Sequence, residues 1–91
     1  MGWSIKIDGP AKKELVKLGN NAAKDILKFL RKRIATDEDP RRFGDPLRKD
    51  LSGLWKYRVG AYRVIADIQD DVVVVLVVRV AHRKKNAYGG H

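Results

Sequence analysis

The chain has 91 residues, enough for one domain with a modest core. Its 20 Lys and Arg against 11 Asp and Glu give a net charge of +9, a balance that calls for a polyanionic partner. With no cysteine it can hold neither a disulfide nor a thiolate metal site; it has no signal-peptide pattern and no apolar run longer than VVVVLVV at 72–78, so a single cytoplasmic domain over 1–91, with 89–91 as a tail and no membrane contact, is expected.

The segment WSIKI at 3–7 alternates apolar and polar residues and predicts a first strand. DGP at 8–10 ends it, with Asp8 or Gly9 as cap and Pro10 in the first turn of a helix over 10–18. Ala11, Leu15 and Leu18 give that helix one apolar face. Gly19 suits a left-handed C-terminal position, and Asn20 or Asn21 can cap the next helix. That helix, over 21–35, shows the clearest period: Ala23, Ile26, Leu27, Leu30 and Ile34 form one stripe, and Lys24, Lys28, Arg31, Lys32 and Arg33 cover the rest, read as a solvated face with contact of some of them to RNA or a partner as the alternative. Residues 36–53 hold Pro40, Gly44, Pro46 and Gly53 and predict a long connection without regular structure, anchored by Leu47 and Leu51.

Three strands are predicted after it, over 54–59, 62–69 and 72–81. Gly60 and Ala61 make a tight hairpin, and QDD at 69–71 turns the chain again. The last strand is valine-rich on both faces and reads as interior to the sheet. The order is β-α-α-β-β-β: an α+β fold with two N-terminal helices on a small, mostly antiparallel four-stranded sheet.

The stretch GLWKYRVGAYRV at 53–64 holds the main chemical signal. Alternation puts Trp55, Tyr57 and Val59 on one face and Lys56 and Arg58 on the other. A two-residue turn sets Arg58 opposite Arg63, and like charges facing across a strand pair destabilise a sheet. A phosphate between them removes the repulsion, because guanidinium forks bind phosphate oxygens in pairs. The alternative is two arginines splayed into water. Two loop residues after the second strand would send Arg79 to the helix side; three, Gln69–Asp71, place Arg63, Arg79 and Arg83 on one face with Lys56 and Arg58. The second register is expected, since it keeps every strand cation out of the core.

LWKYRVGAYRVIADI, a valine-rich strand and VAHRKKNAY together resemble the RelE family of bacterial toxins, within the RelE/ParE superfamily, across nearly the whole chain. The resemblance implies a ribosome-dependent ribonuclease of a type II toxin–antitoxin system. Such an enzyme cuts messenger RNA in the decoding A site when the messenger's own 2′-hydroxyl attacks the adjacent phosphate, without metal or other cofactor. It implies a RelB-like antitoxin as partner, the bacterial ribosome and mRNA as targets, and operator DNA only through the antitoxin complex.

By the same resemblance Lys56 and Arg58 are the basic strand positions, the latter often assigned as general base. Arg63 stabilises transition-state charge, Arg83 helps the 5′-oxygen leave, and Tyr88 stacks on the RNA. Arg79, Lys84 and Lys85 extend the RNA-binding surface. Arginine does not deprotonate, so Arg58 makes a poor base. Lys56 or His82 then handles the proton, or catalysis rests on positioning and charge stabilisation. Two other functions share the basic sheet: a ParE-like inhibitor of DNA gyrase without nuclease activity, and a non-enzymatic RNA-binding module.

Overall fold

The computed structural model describes residues 2–47 and 54–82. β1 (Ser4–Ile7) leads into two helices, α1 (Gly9–Leu18) and α2 (Asn20–Phe29). A π-helical turn (Leu30–Ile34) and a 3-10 turn (Pro40–Phe43) precede β2 (Gly44–Pro46), which is followed by β3 (Leu54–Val59), β4 (Tyr62–Gln69) and β5 (Val74–His82). The sheet runs β1-β5-β4-β3-β2, and only the β1–β5 pair is parallel. The α+β fold is the expected one, and the valine-rich β5 is interior as predicted. The sheet has five strands rather than four, because Gly44–Pro46 inside the long connection pairs with Tyr57–Trp55. Leu47 continues this edge, its N–H donating to the Leu54 carbonyl at 3.0 Å. Leu51 lies outside the described residues.

One face of the sheet carries the helices. Ala11 and Leu15 of α1 and Ile26 of α2, with Leu30 and Ile34, bury against Tyr57, Val64, Ala66, Val75, Val77 and Val80. Pro10 lies in the first turn of α1 as predicted, with Asp8 at the cap position but without a side-chain cap bond. Gly19 ends α1 and begins α2 at φ +99 and ψ 166, which is open to glycine but is not left-handed helix. Its carbonyl accepts from Ala23 N–H at 3.0 Å, so Gly19 and not an asparagine sits at the cap of α2.

The buried stripe of α2 differs from the expected one. Ala22 is buried and Ala23 only half-buried, while Leu27 is exposed. Residues Ala22, Ile26, Leu30 and Ile34 recur every four positions, a spacing that drifts around a straight α-helix. The π turn absorbs part of that drift: Ala35 N–H donates to the Leu30 carbonyl, five residues back, at 2.8 Å. Leu30 and Ile34 then both reach the core, while Arg31, Lys32 and Arg33 are exposed.

Tyr57 ties the connection to the sheet. Its ring is fully buried and tilts against Phe29 with centroids 6.0 Å apart, and its hydroxyl donates to the Pro40 carbonyl at 2.8 Å. Gly44 stands opposite Tyr57 across the β2–β3 pair. A Cβ there would lie 2.8 Å from the ring, so only glycine lets β2 approach. Arg41 braces the same connection through Asp39 and Asp70 at 3.1 and 2.6 Å. Hydrogen bonding to that guanidinium holds the Asp70 carboxyl below its usual range.

Candidate active site

The β3–β4 hairpin forms as its sequence dictates. Gly60 takes φ +59 at the first turn position, where glycine is favoured in a type II′ turn, and Val59 pairs with Tyr62. Arg58 is therefore directly opposite Arg63, and Lys56 opposite Ile65. Residues paired across adjacent strands share a face, so the outer face of the sheet carries two cationic rows, with a third row, Leu54, Asp67, Leu76, beyond them. One cationic row runs Asp45, Lys56, Ile65, Arg79; the other runs Arg58, Arg63, Ala81.

Arg79 reaches this face by a route the loop count does not predict. The β4–β5 loop has four residues, Asp70–Val73, because Gln69 pairs with Val74. That even count alone would turn Arg79 towards the helices. A bulge corrects it: Ile65 pairs with Arg79 but Ala66 with Val77, leaving Val78 as the extra residue. The expected three-residue loop is wrong, and the expected face is right.

The cations are not equivalent. Arg58 is exposed and Lys56 and Arg63 are half-buried, and none of the three forms an ion pair among the described residues. Arg79 is drawn to the sheet edge by Glu14 of α1. One carboxylate oxygen accepts from Arg79 Nε at 3.0 Å and the other from Val80 N–H at 2.7 Å. Glu14 thus caps the stretch of β5 edge that β1, paired only with Val74–Val77, leaves open. The cations of this face without an ion pair among the described residues are therefore Lys56, Arg58 and Arg63, with Arg79 held aside by Glu14.

His82 pairs with Tyr62 and packs edge-on against its ring, centroids 5.4 Å apart. By register it shares the face of Val80 and Val64, not that of Arg63. The structure therefore does not bring His82 together with the hairpin cations. It does place the end of β5 beside the Gly60–Ala61 turn. Arg83, Lys84, Lys85 and Tyr88 lie outside the described residues. Asp45 is the residue the sequence did not offer. It faces Lys56 across β2–β3 and is the one carboxylate in the two rows; reading Gly44–Pro46 as a strand would have found it. Among the described residues no group of three or more histidine or carboxylate side chains is placed to hold a metal ion.

Comparison with known proteins gives this arrangement a family. The family described as ParE toxin of type II toxin-antitoxin system, parDE, matches residues 5–87. Toxin RelG of Mycobacterium tuberculosis is 30% identical over 83 residues, covering 91% of this chain and 93% of that one. Toxin RelE of the same organism is 32% identical over 81 residues, 89% and 81% of the two chains. The solved toxin–antitoxin complex RelBE2 from M. tuberculosis contains a chain that superposes with a TM-score of 0.81 at 29% identity, covering 91% of this chain and all of that one. The basic hairpin thus sits in a chain that belongs to the RelE-like toxins of type II toxin–antitoxin systems, within the RelE/ParE superfamily.

Proposed function

We propose that the outer sheet face is the active site of a ribosome-dependent messenger endoribonuclease that inhibits translation in the bacterial cytoplasm. The observation that carries this reading is the direct opposition of Arg58 and Arg63, with Lys56 beside them and no acid in their row. Two guanidinium groups so placed repel one another until an anion lies between them. A phosphodiester fits that demand, and the phosphorane formed on attack by the 2′-hydroxyl fits it better, because negative charge grows on its equatorial oxygens. Arg63 and Arg58 take that charge, and Lys56 lies on the side from which the 2′-oxygen approaches. Arg83 assists departure of the 5′-oxygen and Tyr88 stacks on the base. The 2′-hydroxyl loses its proton, the 5′-oxygen gains one, and a 2′,3′-cyclic phosphate results without a metal. Since arginine stays protonated, rate enhancement here rests chiefly on positioning and charge.

The partner is a RelB-like antitoxin, a reading supported by the toxin–antitoxin complex solved for M. tuberculosis RelBE2; operator DNA is reached only through that complex. The docking surface is a pair of adjoining, mostly apolar clefts between β1, α1 and α2, one lined by Ile7, Leu15, Val16, Ala23 and Leu27 with Lys12 and Asn20, the other by Ile5, Ile7, Leu27 and Leu30 with Arg31. Val16 is 79% exposed and Leu27 38%, so an amphipathic helix would bury them.

A second reading follows from the family match, whose description is that of ParE toxins: inhibition of DNA gyrase without nuclease activity. One paired experiment separates them. The purified chain is incubated with bacterial ribosomes and a defined messenger, and with gyrase and relaxed plasmid. Cuts in the decoding site with intact supercoiling support the ribonuclease; uncut messenger with blocked supercoiling replaces it with the gyrase reading.

A further inference from the structure

The hairpin accounts for only part of the positive charge. A second concentration lies on the helix layer, on the other side of the sheet, where α2 widens into the π turn. Lys28 and Lys32 stand one turn apart, and Arg33 follows. These three and Phe29 line a surface cleft whose single acid is Asp25. Beyond it the Arg33 guanidinium lies 5.7 Å from the centre of the Phe43 ring, and that of Arg42 lies 5.3 Å from the same ring. Phe43 itself is 36% exposed. Lys28, Lys32 and Arg33 are exposed and form no ion pair among the described residues.

Three features set this surface apart from an ordinary solvated helix face. The charges cluster at a π-helical turn, a rare conformation that recurs at functional sites. The Arg33 guanidinium is parked on an aromatic ring, which keeps its planar fork extended and reduces the ordering cost of binding an anion, whereas that of Arg42 on the same ring is paired with Glu38. The composition also suits a phosphate backbone better than a protein: lysine is depleted in protein interfaces and their centres are apolar, and the apolar groove of this chain lies on the opposite flank of α2.

We infer that Lys28, Lys32 and Arg33, with Phe43 beneath the Arg33 fork, form a second RNA-docking surface that grips the phosphate backbone of folded ribosomal RNA while the sheet's outer face holds the messenger. The inference rests on the ribosome reading above and names a surface for it. Because the two cationic surfaces are on opposite layers, no single phosphate can meet both. The partner must be large enough to pass on both sides of the domain, whose shortest extent is 22 Å. A particle of folded RNA meets that requirement; a short single strand does not.

The test uses the full chain and purified ribosomes, with binding measured across a range of salt concentrations. In the Lys28→Gln/Lys32→Gln/Arg33→Gln variant the dissociation constant should rise about tenfold or more, and the slope of log affinity against log salt should shrink by about 2, the loss of two to three phosphate contacts. Single-turnover cleavage at saturating ribosome should stay at the wild-type rate, since the hairpin is untouched. Lys28→Arg/Lys32→Arg keeps the charges and should bind like wild type. Wild-type affinity and slope in the glutamine variant would overturn the inference and leave the ribosome reading standing. So would weakened antitoxin binding with ribosome binding intact, which would make the patch a protein-binding surface. Failure of the wild-type chain itself to bind ribosomes would overturn the ribosome reading and this surface with it.

Discussion

The Tyr57 hydroxyl donates to the Pro40 carbonyl at 2.8 Å inside the core, joining the middle of the basic hairpin to the connection that carries β2. The bond has two consequences. Tyr57→Phe leaves a buried carbonyl without its donor and should cost about 1–3 kcal/mol in denaturant unfolding. Burial also pushes the phenol up to about 12 from 10.0. The folded chain therefore holds its proton through a range where the unfolded chain releases it. Stability should be complete below pH 10 and fall by about 1.4 kcal/mol for each pH unit from 10 to 12. Tyr57→Phe should remove this part of the alkaline decline; an unchanged curve between the two proteins would refute it.

At Gly44 the constraint is steric. A Cβ would sit 2.8 Å from the Tyr57 ring and 2.9 Å from the Lys56 carbonyl, neither of which can yield easily. Gly44→Ala should destabilise by about 1–3 kcal/mol and detach β2, exposing the edge of β3. Hydrogen exchange at β3 amides that face β2 should accelerate more than at β4 amides.

Val73 holds φ +55 in the β4–β5 loop, where a β-branched residue is strained. It is 41% exposed, so little packing is lost on removal. Val73→Gly should stabilise by up to about 1 kcal/mol, relief of strain being partly offset by the entropy of glycine. A lower thermal midpoint in the variant would contradict this.

Much of the site was legible because a tight hairpin fixes parity. Once Gly60 and Ala61 are the turn, Arg58 must face Arg63, and the apolar Trp55, Tyr57 and Val59 must face the helices. What was not legible depends on partners far along the chain. Gly44–Pro46 has no strand-like alternation and becomes a strand only because β3 offers an edge and Tyr57 a glycine-sized gap. The π turn leaves no residue pattern, so the sequence period points to Ala23 where the structure buries Ala22. The bulge at Val78 and the four-residue loop are each invisible in sequence, and their effects on parity cancel. Burial needs alone put Arg79 on the correct face. The clamp by Glu14 crosses 65 residues of sequence and could not be read from either end.

The opposed arginines separate chemistry from folding. Arg63→Ala removes a repulsive neighbour of Arg58, so stability should hold or rise by a few tenths of a kcal/mol. Single-turnover cleavage on the ribosome should fall by about ten- to a thousandfold, the scale of losing one preorganised charge donor, while ribosome affinity changes far less. Wild-type cleavage by a folded Arg63→Ala protein would move the active site away from the hairpin.

The central claim is that the messenger's own 2′-hydroxyl is the nucleophile, held against the Lys56–Arg58–Arg63 face on the ribosome. The most direct measurement is single-turnover cleavage of a ribosome-bound messenger with one 2′-deoxy nucleotide at the cut position, with end-group analysis of the all-ribose control. The control should yield an upstream fragment ending in a 2′,3′-cyclic phosphate and a downstream fragment beginning with a 5′-hydroxyl, and the deoxy messenger should remain whole at that position. Cleavage of the deoxy messenger at the control rate, or a 5′-phosphate on the downstream fragment, would contradict the account.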